Sequence, residues 1–320
     1  MVSSLVTLPD RVGPTLVTGG AGAIGSNLVR ALVARGEEVR VVDNLSSGRR
    51  DRIPASPKVT LTVADLRHPV EFQEQLRGVS RVWHIAANPD IRKGTADPSV
   101  DLENGTLATF HLLEAARRHD VPRILFSSSS AIYGQATVFP TPEEYGPLCP
   151  ESQYAAGKLA SEGLLSAYAH SYGMQVHIFR FANIIGPGMD HGILPDFLAK
   201  LGQTPLRLEV LGDGRQAKSY LRTEDCVEGM LLAGDLAHEQ VNLFNLGAAD
   251  QISVREIAEK VVAATGGRAR IEYTGGDRGW TGDVPLQLLS IAKIGRLGWS
   301  PHHTSAAAID RTIAELLTAS

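Results

Sequence analysis

The chain has 320 residues, with 31 basic and 35 acidic side chains, a formal charge of -4, 43% hydrophobic and 21% charged residues. That balance argues against a nucleic-acid-binding face and against a disordered chain, and it leaves room for one large domain or two smaller ones. Two cysteines, Cys149 and Cys226, are too few for a disulfide framework or a structural zinc site, and no apolar run reaches the roughly 18 residues of a membrane span.

Residues 1–12 lack the basic stretch and apolar core of a secretory signal and read as a short extension of a cytoplasmic protein. Short apolar runs at 15–18, 38–42, 59–63, 81–85, 123–127 and 175–180 then suit buried parallel strands. Between the first two, Ile24, Leu28 and Leu32 share one helical face; between the fourth and fifth, so do Leu112, Leu113 and Ala116. Strand and helix in alternation predict an α/β fold, a doubly wound parallel (Rossmann) sheet over 13–184. After Arg180 the alternation stops, and Gly and Pro punctuate 185–195 and 212–214. A smaller α/β substrate-binding domain is expected from 185–217 and 248–320. Residues 218–247 return to the first domain with a strand at 241–246, and a helix at 305–317 closes the chain.

Gly19, Gly22 and Gly25 lie between the first strand and the first helix, in Thr18-Gly19-Gly20-Ala21-Gly22-Ala23-Ile24-Gly25. The first permits a tight turn, the second lets a pyrophosphate approach the backbone, and the third lets helix and strand pack closely. The N–H groups of Ala23 and Ile24 then face the phosphates at the positive end of the helix. Asp43, followed by Asn44, ends the second strand. A carboxylate there can accept both hydroxyls of an adenosine ribose and would repel a 2′-phosphate, which favours NAD over NADP. Arg49 and Arg50 read as solvated loop residues. Asp65, followed by Leu66, is either a contact to the adenine amino group or a plain strand-end acid.

Tyr154 and Lys158 are four apart in a helical segment, so phenol and ammonium share a face. A free tyrosine, with a pKa of about 10, is a poor base at neutral pH. A neighbouring ammonium and a charged nicotinamide are expected to lower that value, so that Tyr154 can take a proton from a sugar hydroxyl. The serine run Ser127 to Ser130 ends the fifth strand, where hydroxyls reach the crevice in which such sheets bind ligands.

Together, Thr18 to Gly25, Asp43, Ser129 and Tyr154 to Lys158 resemble the extended short-chain dehydrogenase/reductase family. Within it the chain is similar to NAD-dependent UDP-hexose 4-epimerases. Matching stretches include Val42 to Gly48, Ala86-Ala87-Asn88-Pro89, Ser127 to Gly134, Lys218-Ser219-Tyr220 and Arg278 to Val284. The resemblance implies Ser129, Tyr154 and Lys158 as the catalytic triad. It places Ala86, Ala87, Asn104 and Ser127 along the cofactor. It gives Asn183, Lys218 and Arg278 to the substrate diphosphate, includes Tyr220 among the substrate residues, and gives Asp283 to the uridine ribose. Ser130 and Ala131 stand where relatives that remove water between C4 and C6 carry an acidic pair, which argues against a dehydratase. The loop with Asp190 and His191 is expected beside C5 and C6 of the hexose, where Asp190 would repel a uronate. The remaining histidines show no metal-ligand spacing, and no metal is expected.

The expectation is therefore NAD-dependent 4-epimerisation of a UDP-hexose, UDP-glucose or UDP-galactose, through a transient 4-keto sugar. The alternatives are a UDP-glucuronate 4-epimerase, another nucleotide-sugar oxidoreductase, or a non-catalytic NAD-sensing regulator. A homodimer is expected from the apolar excess on the helices after Asn104 and Tyr154. No nucleic acid or membrane partner is expected.

Overall fold

The computed structural model describes residues 13–91 and 93–319; the expected extension, 1–12, lies outside them. Six strands, β1 (Thr15–Thr18), β2 (Val39–Asp43), β3 (Val59–Val63), β4 (Arg81–His84), β5 (Arg123–Ser129) and β6 (Gln175–Phe181), join Val241–Leu246 in one seven-stranded sheet. Each lies within two residues of its expected position. The spatial order is Val241–Leu246, β6, β5, β4, β1, β2, β3, and the β1–β2, β2–β3, β1–β4 and β4–β5 pairs are parallel. The chain runs outward from β1 to β3, then restarts at β4 on the other side of β1. Such a reversal opens a crevice beyond the carboxyl ends of the two central strands. The loops that begin at Gly19 and at Ile85 leave the sheet there.

Burial on both faces holds for β1, every residue of which is buried. It does not hold for β3, none of whose residues is buried, because β3 is an edge strand. On one face of the sheet, Leu16, Val82, Ile124 and Phe126 pack with Leu112, Leu113 and Ala116 of the helix Ala108–Arg118 and Leu165 of the helix Gln153–Tyr172. Elsewhere in the sheet Phe179 stacks on Trp83 at 6.2 Å and on Phe244 at 6.4 Å between ring centroids. The helix that carries Leu112, Leu113 and Ala116 runs from Ala108 to Arg118. A π-helical stretch, Leu102–Leu107, precedes it, and such wide turns recur beside functional sites.

The chain forms two compact units. The first comprises the described part of Met1–Ser129 with Gln153–Arg180 and Val227–Phe244. The second comprises Ser130–Ser152, Phe181–Cys226 and the described part of Asn245–Ser320. Residues 130–152 and 218–226 thus lie in the second unit, where the sequence placed them with the first. Long-range hydrogen bonds account for 130–152: Thr141 N–H donates to Leu288 O, Ser290 N–H to Thr141 O, and the Tyr133 hydroxyl to Asn245 Oδ1. The second unit has its own core of Phe197, Leu208, Tyr220, Ile257, Val261 and Ile309. Its strands are short: Asn183–Ile185 pairs with Tyr220–Arg222, Arg207–Val210 with Arg270–Tyr273, and Ala217–Lys218 lies between Ile252–Ser253 and Leu286–Gln287. Ser253 and Glu256 form a capping box that starts the helix Val254–Ala264, satisfying two backbone donors at once. Among the described residues no helix is long and apolar enough to cross a membrane.

Candidate active site

The glycine loop has the geometry its spacing promised. Gly19 has φ +67°, and a Cβ there would lie 2.6 Å from Ala86 N; only glycine fits such a left-handed turn against a neighbouring backbone. A Cβ at Gly25 would lie 2.1 Å from Gly19 O, so that glycine lets the helix Ala23–Ala34 close onto the loop. Gly22 differs. A Cβ there would meet only Gly19 O, at 3.3 Å. Its small size thus leaves open space at the N-cap of a helix with no side-chain cap.

Asp43, at the end of β2, is buried. Its Oδ2 accepts the Ala21 N–H at 2.9 Å and its Oδ1 the Leu45 N–H at 2.8 Å, which fixes the carboxylate beside the loop. Arg49 pairs with Asp51 on an exposed part of the loop, in keeping with a solvated arginine. Asp65 accepts from Asn44 at 3.1 Å and from Arg67 at 2.9 Å, and Arg67 also meets Glu103 at 3.2 Å. The Arg67 hydrogen bonds hold the Asp65 carboxyl far below the usual carboxylate range. Leu66 is buried and its carbonyl contacts His111 Nδ1 at 3.2 Å. Ala86 and Ala87 are half-buried just beyond β4. Asn104, in the π-helical stretch, turns its amide back to Val100 O at 2.8 Å.

Three consecutive serines of β5 meet three residues of the helix Gln153–Tyr172. The Tyr154 hydroxyl hydrogen-bonds Ser129. Lys158 Nζ donates to Ser127 O at 2.5 Å, and Ser128 Oγ donates to Glu162 Oε1 at 2.5 Å. Lys158 is buried, with Nζ 4.6 Å from the Phe126 ring centroid and 5.7 Å from that of Tyr154. Ser127 Oγ donates to His84 O at 3.2 Å, tying β5 to β4.

Burial dominates the proton affinities of this pair in the protein alone. Burial pushes the Tyr154 phenol up to about 12, against the Ser129 hydrogen bond, which opposes it. Burial also brings Lys158 down to about 7, opposed by Glu162 and Asp101. The pair is desolvated together, so in the protein alone the ammonium does not make Tyr154 acidic. His84, behind Lys158, is brought down to about 3 by burial and by the Lys158 charge. As a neutral ring it bonds Thr18 Oγ1 at 2.8 Å and Thr109 Oγ1 at 3.0 Å.

The residues of the second unit that were given to the substrate are partnered. Lys218 Nζ lies 2.5 Å from Asp283 Oδ1, and Asp283 Oδ2 accepts the Gly279 N–H at 3.0 Å. Arg278 pairs with Glu151 at 2.5 Å. The two cations expected for a diphosphate are thus each met by a carboxylate. Asn183 donates to Ser219 O at 3.1 Å and to Gln287 Oε1 at 3.0 Å, and Gln287 in turn donates to Ser130 Oγ. Tyr220 is buried in the core of the second unit, so it serves packing there. Asp190 and His191 bond each other at 2.8 Å, with about half of each side chain exposed.

Residues 15–247 match the model of the NAD dependent epimerase/dehydratase family. The chain belongs to this family. It is 31% identical over 316 residues to the UDP-glucose 4-epimerase of Mycolicibacterium smegmatis, covering 93% of this chain and 97% of that protein. A crystal structure of a UDP-galactose 4-epimerase superposes with a TM-score of 0.87 at 39% identity, covering 96% of this chain and 99% of the other. The Thermus thermophilus UDP-glucose 4-epimerase, solved with NAD, gives a TM-score of 0.86 at 31% identity, covering 96% and 100%. The cofactor of this chain is NAD.

The loop of this family member suits that cofactor. The open face at Gly22 and the uncapped helix start suit a pyrophosphate, and the fixed Asp43 carboxylate suits ribose hydroxyls. Sequence reasoning passed over Glu162, Gln287 and Glu151. Glu162 was within reach, since it continues the spacing of Tyr154 and Lys158 by four more residues. No local pattern marks Gln287 or Glu151, whose partners are far away in the chain.

Proposed function

We propose that the protein interconverts UDP-glucose and UDP-galactose by inverting C4. The observation that carries this reading is that Tyr154 and Lys158, on one helix face, meet Ser129 and the Ser127 carbonyl at the end of β5. Bound NAD supplies a reversible hydride acceptor. Tyr154 takes the proton from O4, with Ser129 steadying that hydrogen. C4 thereby loses a hydride and O4 a proton, leaving a 4-keto sugar. With the sugar turned, C4 would regain its hydrogen on the opposite face, and Tyr154 gives the proton back to O4. Lys158 holds the nicotinamide ribose, and Ala86, Ala87, Asn104 and Ser127 line the cofactor. Ser130 and Ala131 offer no carboxylate to protonate a leaving 6-hydroxyl, which supports epimerisation over dehydration.

Lys218, Arg278 and Asn183 are assigned to the diphosphate, which must replace Asp283 and Glu151 as the acceptor for the two cations. A neutral 6-hydroxyl asks nothing of the Asp190–His191 pair, whereas a uronate brings a further anion to Asp190. Purified protein given a panel of UDP-sugars, with chromatographic separation of epimers, should therefore show a higher kcat/KM for UDP-galactose than for UDP-galacturonate. Preference for the uronate overturns the substrate assignment. Net consumption of NAD, or no turnover on any UDP-sugar, overturns the reaction.

Asp43 is assigned to NAD selectivity. Asp43→Ala should weaken NAD binding and narrow the preference over NADP, as titration calorimetry can measure. Equal binding of the two by the wild type removes that role. Leu102, Leu107 and Phe110 are exposed around the start of the helix Ala108–Arg118. We assign this apolar face to a second copy of the chain, so light scattering at micromolar concentration should report twice the chain mass.

A further inference from the structure

Glu162 lies on the same helix face as Tyr154 and Lys158, at one further step of four residues. It is buried, and it is gripped from two sides. Ser128 Oγ donates to Oε1 at 2.5 Å. Arg180, from β6, donates to Oε1 at 3.1 Å and to Oε2 at 2.8 Å, with 5% of its own side chain and 8% of that of Glu162 exposed. Ser128 stands between the residue that receives the Lys158 ammonium and the residue that bonds Tyr154. Tyr154, Lys158 and Glu162 thus tie three successive serines of one strand to one helix face.

We propose that Glu162, clamped by Arg180, is a positioning residue that holds the serine strand in register with the Tyr154–Lys158 pair. This rests on the reading of Tyr154 as the acid/base. Glu162 on its own helix and Asp101 at the end of the short helix Ser99–Asp101 are the carboxylates acting on Lys158, and His84 of β4 feels the Lys158 charge as a neutral ring. Burial pulls the ammonium towards neutrality, and Glu162 is the larger of the two carboxylate influences that oppose this.

The test is kcat and KM for UDP-galactose of Glu162→Gln and Glu162→Asp beside the wild type, with cofactor absorbance reporting NAD occupancy. Glu162→Gln should lower kcat about tenfold with KM and NAD occupancy little changed, and Glu162→Asp should recover part of the loss. A folded Glu162→Gln protein with wild-type kcat overturns the proposal. If that variant does not fold, Ser128→Ala keeps the Arg180–Glu162 pair and removes only the strand contact. It should lower kcat severalfold at unchanged KM, and wild-type kcat overturns the proposal. A Tyr154→Phe protein with near wild-type turnover instead overturns the acid/base reading. An inactive one beside a fully active Glu162→Gln overturns the positioning role alone.

Discussion

Tyr154→Phe is expected to cut turnover by at least about a hundredfold while NAD stays bound. The magnitude is that of a positioned general acid/base. The substitution removes one oxygen, keeps the ring beside Lys158, and leaves the Ser127–Lys158 and Ser128–Glu162 contacts in place. Packing is therefore preserved and the loss falls on proton transfer. The pH dependence has a defined sign. The base is the phenolate, and burial holds the phenol up to about 12 in the protein alone. A cationic nicotinamide adds positive charge to the site and favours the phenolate, so kcat should rise with pH up to the lowered value reached in the loaded enzyme. The phenylalanine variant should show no such limb. Epimer chromatography gives the turnover, and cofactor absorbance of the purified variant gives NAD occupancy. Near wild-type turnover with NAD retained would remove Tyr154 from the chemistry.

Arg180→Met should be the most destabilising of these changes, costing about 3–5 kcal/mol. The guanidinium makes two short contacts to Glu162 where both side chains are almost wholly out of water. Removing it leaves the carboxylate without its ion-pair partner and with the Ser128 hydroxyl still donating to it, in a site where a poorly compensated charge is costly. Met approximates the length of the stem, so the loss comes from charge more than from a cavity. Combining the change with Glu162→Leu removes the stranded charge and should recover most of the stability, because the two residues share one interaction and their effects do not add. Urea unfolding of the three variants and the wild type measures this. A single-variant loss below about 1 kcal/mol would mean that the pair is solvated like a surface ion pair.

The resemblance read from Gly19, Gly22, Gly25, Asp43, Tyr154 and Lys158 rested on contacts between near neighbours in the chain. A turn between strand and helix needs its glycines at set offsets, and four residues along a helix return to the same face, so such patterns survive in one dimension. The buried strands were legible for the same reason, since their apolar runs are continuous. The edge position of β3 was not, because being an edge depends on which strands come later and where they add.

The substrate cations show the opposite case. Lys218 and Arg278 stood out as positive side chains, but their partners Asp283 and Glu151 lie 65 and 127 residues away. No periodicity links such pairs. The transfer of 130–152 to the second unit likewise rests on hydrogen bonds to 245 and 288–290.

Local spacing in the sequence was thus enough to determine the sheet type, the cofactor loop and the shared face of Tyr154 and Lys158, because those relations are set by helix and strand periodicity. The tertiary structure alone decided which charges are neutralised, which way the Tyr154 and Lys158 proton affinities move, and that Glu162 clamps the serine strand. Those depend on how completely water is removed and on which distant side chain is brought within about 3 Å, and neither quantity is written in the order of the residues.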